Sequence, residues 1–64
     1  MSDFKTRLIE ERDQLEEKQN KLLSFIHSDN FANIDPKQKS LLKVQAQAMG
    51  TYLVCLIERI EALG

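Results

Sequence analysis

The chain is 64 residues and 7.4 kDa with a formal charge of −1, enough for one domain and too short to bury a large core. One cysteine excludes an intrachain disulfide, and one cysteine with one histidine cannot form a conventional structural zinc site, so oligomerisation is the remaining way to stabilise so small a fold. Nine basic against ten acidic residues argue against tight non-specific DNA or RNA binding, although a few focused cations can still hold a small anion.

The opening MSDFKTRLIEERDQLEE is charged from the start, unlike a secretory signal, and the longest apolar run, YLVCLI, is far shorter than a membrane span. A cytoplasmic protein without a membrane partner is expected. Phe4, Leu8, Leu15, Leu22 and Ile26 recur at spacings of four and seven, which predicts a first helix over about 3–28 with Ser2 or Asp3 as its cap. Glu17 and Lys21 fall one turn apart as an acid-before-base pair. HSDNFANID breaks the pattern, because Ser, Asp and Asn side chains compete for backbone hydrogen bonds. Phe31 and Ile34 inside this joint, 29–35, are expected to plug the end of the helix pair.

DPKQ then opens a second helix over about 36–62. Asp35 reads as N-cap, Pro36 as N1, Gln38 as the reciprocal partner in a capping box, and Gly64 as the stop. Two helices of similar length joined by a short loop predict an all-α antiparallel hairpin forming a single domain over 1–64. On the second helix Leu42, Met49, Leu56 and Leu63 make one stripe and Ala46, Leu53 and Ile60 a second. Leu41, Ala48 and Cys55 add a third, with Val44, Val54 and Ile57 beyond it. One partner helix covers one face only, so the remainder predicts a symmetric homo-oligomer packed through the second helix. Ala46 and Gly50, four apart, are small enough for a further helix to approach.

Little here suggests catalysis. His27 beside Asp29 reads as a solvated helix-end residue, Cys55 as a buried structural thiol, and no glycine-rich loop or metal motif is present. The unusual positions are polar residues on apolar stripes: Glu11 and Lys18 on the first helix, Gln45, Tyr52 and Arg59 on the second. They either fix register at an interface or line a cavity between protomers. In the cavity reading Phe4 stacks on a base while Arg7, Lys18, Lys21 or Arg59 meets phosphate oxygens.

Leu15, Lys18, Lys21, Leu22, Phe25, Ile26 and Phe31, followed by Leu41, Leu42, Gln45, Met49, Tyr52, Arg59 and Ile60, form an ordered set over about residues 8–60. This set resembles the helical-hairpin domain of phage anti-CBASS and anti-Thoeris "sponge" proteins. The resemblance implies a homohexamer in the host cytoplasm that holds cyclic nucleotide second messengers between protomers and leaves them uncleaved. It implies no cofactor and no metal. It places Phe4 at the stacking position, where relatives carry Tyr, Lys18 at the phosphate, and Arg59 at a second pocket. Some relatives bind ADP-ribose-type rings with an inserted sheet domain. This chain has no room for one, so cyclic di- or trinucleotides are expected ahead of cyclic ADP-ribose isomers. The alternative is an oligomeric protein-interaction module that presents the acidic face of EERDQLEE.

Overall fold

The computed structural model describes residues 3–64; the capping role considered for Ser2 lies outside them. The first helix, α1, spans Phe4–Ile26. Asp3 is extended, and its Oδ1 accepts a hydrogen bond from the Thr6 amide at 2.8 Å, satisfying one of the free N–H groups of the first turn. The helix stops two residues earlier than the periodicity predicts. Ser28 is the reason: both its amide (3.0 Å) and its hydroxyl (2.6 Å) donate to the Phe25 carbonyl, tightening the last turn out of α geometry.

The joint is itself ordered, with a 3₁₀ segment over Asp29–Asn33. Within it the Phe31 ring meets the Phe25 ring edge-to-face at 6.0 Å, and Ile34 is half-buried, so the expected plug forms. The second helix, α2, spans Pro36–Leu63. Asp35 caps it, as DPKQ predicts, but through the Lys37 amide at 3.0 Å. Lys37 is the second helical residue rather than the third, and the Gln38 side chain makes no reciprocal bond among the described residues, so the expected capping box does not form and Asp35 caps alone. Gly64 closes the helix with φ +85°, the left-handed conformation that favours glycine, and its amide donates to the Glu61 carbonyl.

The helices run antiparallel, with Gln19 of α1 reaching the Ala46 carbonyl of α2 and Lys5 reaching the Gly64 carbonyl at 2.8 Å. The result is a rod of 46 × 17 × 13 Å. Its core is thin. Among the described residues only Leu8, Ala46 and Leu56 are buried, with Leu15, Leu22, Leu42, Met49, Leu53 and Ile60 half-buried around them.

The outward surface of α2, outside its contact with α1, carries apolar side chains among polar ones such as Gln47, Thr51 and Glu58: Leu41, Val44, Tyr52, Val54, Ile57 and Leu63 are each at least one third exposed. Two expectations need correction here. Cys55 is exposed rather than buried, because it lies on this outward face. The Ala46–Gly50 pair serves the hairpin itself rather than a further helix: Ala46 is buried against α1, and a Cβ on Gly50 would lie 2.9 Å from the Gln19 Nε2. Leu63, placed on the inner stripe by its spacing, is also exposed because α1 does not extend far enough to cover it. By length and composition α2 could cross a membrane, with mean hydropathy 1.2 over its most apolar 18 residues. Its charge-free stretch, however, runs only from Val44 to Ile57. That is about 21 Å of helix against a hydrocarbon core of about 30 Å.

Candidate functional site

At the end of the rod where α1 begins and α2 ends, α1 supplies Phe4 and α2 supplies Arg59. The guanidinium carbon of Arg59 lies 5.7 Å from the centre of the Phe4 ring, a cation–π pair. Antiparallel pairing produces this contact by placing the first turn of α1 beside the last turns of α2. Phe4 remains 59% exposed, which leaves much of the ring free to stack. Arg7 follows one turn later on α1 and is exposed. Among the described residues no carboxylate lies within 4.0 Å of Arg7 or Arg59, so both cations keep their charge available to an anion. Lys5, at the same end, is instead engaged by the Gly64 carbonyl.

The other two expected cations lie elsewhere. Lys18 is exposed, has no carboxylate within 4.0 Å among the described residues, and lies fourteen residues from Phe4, or about 21 Å along the helix axis. Lys21 is paired with Glu17 at 3.1 Å and lines a shallow hollow of about 550 Å³ together with Asp13, Glu16 and Glu17. Surrounded by carboxylates, it is the cation least suited to phosphate. Of the five residues expected at the site, then, the fold brings Phe4 and Arg59 together, although Arg59 was expected at a separate pocket, leaves Arg7 one turn from Phe4 on α1, and keeps Lys18 and Lys21 apart from them. Asp3, beside Phe4, has its carboxyl held below the ordinary aspartate range, chiefly by hydrogen bonds from Thr6.

A second cluster escaped sequence reading. At the joint, the ammonium groups of Lys43 and Lys39 lie 5.8 and 5.9 Å from the centre of the Phe31 ring. Lys43 also borders a groove of about 380 Å³ floored by Leu23, Ile26, Ala46 and Gly50. The one-turn spacing of the two lysines was visible in the sequence. Their meeting with Phe31 depends on the path of the 3₁₀ segment, which no periodicity reports. His27 and Asp29 are exposed and make no hydrogen bond to each other. Among the described residues no group of three or more His, Cys, Asp or Glu could hold a metal ion.

These features coincide with a family match. The family model called Sequestin covers residues 2–62, nearly the whole chain. The chain belongs to the Sequestin family. The name describes sequestering, a binding role rather than catalysis, and the two-helix hairpin is the scaffold on which this Sequestin carries it. No curated protein and no solved structure matches the chain.

Proposed function

We propose that this Sequestin is a phage anti-defence sponge of the anti-CBASS or anti-Thoeris kind, acting in the host cytoplasm. It binds cyclic di- or trinucleotides between protomers of a homo-oligomer, expected to be a hexamer, and releases them intact. The observation that carries this reading is the exposed Phe4 ring with the Arg59 guanidinium beside it, in a chain whose family name denotes sequestration. A ring and a free cation are what a base and a phosphate require. Lys18 is too far from Phe4 to share one ligand within a protomer. In this reading the lysine therefore comes from a neighbouring chain or serves a separate pocket.

Titration calorimetry with cyclic dinucleotides, cyclic trinucleotides and cyclic ADP-ribose isomers tests the proposal. It is followed by chromatography of the ligand recovered after denaturation. Phe4→Ala should weaken binding by about 1–3 kcal/mol for the lost stacking. Lys18→Ala should weaken it by roughly 1.5–3 kcal/mol for a lost charge-assisted bond. Neither change should alter the oligomer mass. No binding across the panel transfers the case to the protein-interaction reading, which the acidic hollow at Asp13, Glu16 and Glu17 favours. Recovery of a linear product would identify an enzyme.

A further inference from the structure

Outside the hairpin core, α2 carries a second seam. Leu41, Gln45, Ala48, Tyr52, Cys55 and Arg59 recur at alternating spacings of four and three, and all six are exposed. This is the spacing of a coiled-coil seam, adjacent to but distinct from the Leu42, Ala46, Met49, Leu53, Leu56 and Ile60 face that meets α1. The seam is also self-complementary when reversed. Laid antiparallel on a copy of itself and centred between Ala48 and Tyr52, it sets the smallest residue, Ala48, against the largest, Tyr52. Gln45 then meets Cys55, and Leu41 meets the aliphatic stem of Arg59. The parallel arrangement sets Tyr52 on Tyr52 and Arg59 on Arg59, two bulky rings and two like charges in register.

We infer that two copies of this chain pair antiparallel and two-fold symmetrically through the Leu41–Arg59 seam of α2. A second copy thus covers the Leu41 and Tyr52 side of the exposed apolar surface, seated by small-against-large packing and by the separation of the two arginines. The inference rests on the reading of this chain as an oligomeric sponge, and it specifies the contact on which that oligomer is built. An isologous pair is closed, and three such pairs can be arranged about a three-fold axis as a hexamer. The same pairing places the partner's Lys37, one turn before Leu41, near the Phe4–Arg59 end. The proposed nucleotide site is therefore shared between two chains.

A thiol cross-link tests the register without any ligand. Gln45→Cys places a new thiol opposite the partner's Cys55, and copper–phenanthroline oxidation should convert most of this variant to a covalent dimer. Two symmetric bonds close each pair, so no longer ladder should form. The wild type should not cross-link through Cys55 alone, nor should Gln45→Cys in a Cys55→Ser background. Like positions then lie ten residues apart, about 15 Å, whereas a disulfide needs Cα atoms within about 7 Å. A ladder, a wild-type dimer, or no dimer from Gln45→Cys in a chain that still sediments as an oligomer overturns the pairing. Ala48→Trp supplies an independent arm: it should lower the oligomer mass, and adding Tyr52→Ala should restore it. An unchanged mass for Ala48→Trp also overturns the pairing. Lys37→Ala should weaken cyclic-nucleotide binding about tenfold with cross-linking intact, and unchanged affinity overturns the shared site. Cross-linking with no nucleotide bound by the wild type would instead overturn the sponge reading and leave the pairing in place.

Discussion

Gly50 lies close to a neighbour that is free to move. Adding a Cβ there would bring it to 2.9 Å from the Gln19 Nε2, the far end of a flexible side chain whose bond to the Ala46 carbonyl is long at 3.4 Å. Gln19 can swing away at little cost, while alanine gains about 1 kcal/mol over glycine in a helix interior. Gly50→Ala should therefore leave stability unchanged or raise it by up to about 1 kcal/mol, measured by urea denaturation. A loss larger than that would mean that the Gln19 amide is held in place. Asp3 makes a different residue-scale prediction. Its folded pKa is depressed by the Thr6 bond, so the ionised cap stabilises the fold at pH values above the unfolded pKa. That contribution is lost as the pH falls through the folded value, below about pH 4. An Asp3→Asn variant should show a flatter fall in melting temperature across that acid range than the wild type.

At the scale of elements, the joint decides how the two helices meet. Asp35 supplies a side-chain acceptor to the Lys37 amide while its carbonyl accepts from Lys39 at 2.9 Å. Asp35→Ala should cost about 0.5–2 kcal/mol of stability, as N-cap removals do. A thermal melt unaltered beyond error would mean that the cap carries no weight in the assembled protein. The two lysines of the early part of α2 over Phe31 belong to this scale as well. Exposed cation–π contacts are worth about 0.5–1 kcal/mol each, so they help to fix the joint without dominating it.

For the whole molecule, the thin core is the central fact. Leu56 is fully buried in the hairpin, and truncating it to alanine should cost about 2–5 kcal/mol. Leu56→Asp should unfold or dissociate the protein outright, since it places an unpaired charge in that core. Circular dichroism and sedimentation of the two variants check this. A folded Leu56→Asp monomer would show that the hairpin stands without association. At micromolar concentration the wild type should never appear as a folded 7.4 kDa species in sedimentation equilibrium.

Much of this was legible from local chemistry. The two helices, the Asp3 and Asp35 caps, the Gly64 stop and the inner stripe from Leu42 to Ile60 all follow from spacing and from side chains acting within a few residues of themselves. The Glu17–Lys21 ion pair was legible for the same reason. The early end of α1 at Ile26, the use of Gly50 by Gln19 and the meeting of Lys39 and Lys43 with Phe31 were not. Each depends on a loop path or on a contact across the hairpin. The sequence by itself determined which residues make helices and that more apolar surface exists on α2 than one neighbour can cover. Only the tertiary structure decided that Phe4 meets Arg59 while Lys18 stays about 21 Å away along α1. Periodicity specifies the face a residue occupies; only the antiparallel docking of the two helices specifies what stands opposite it.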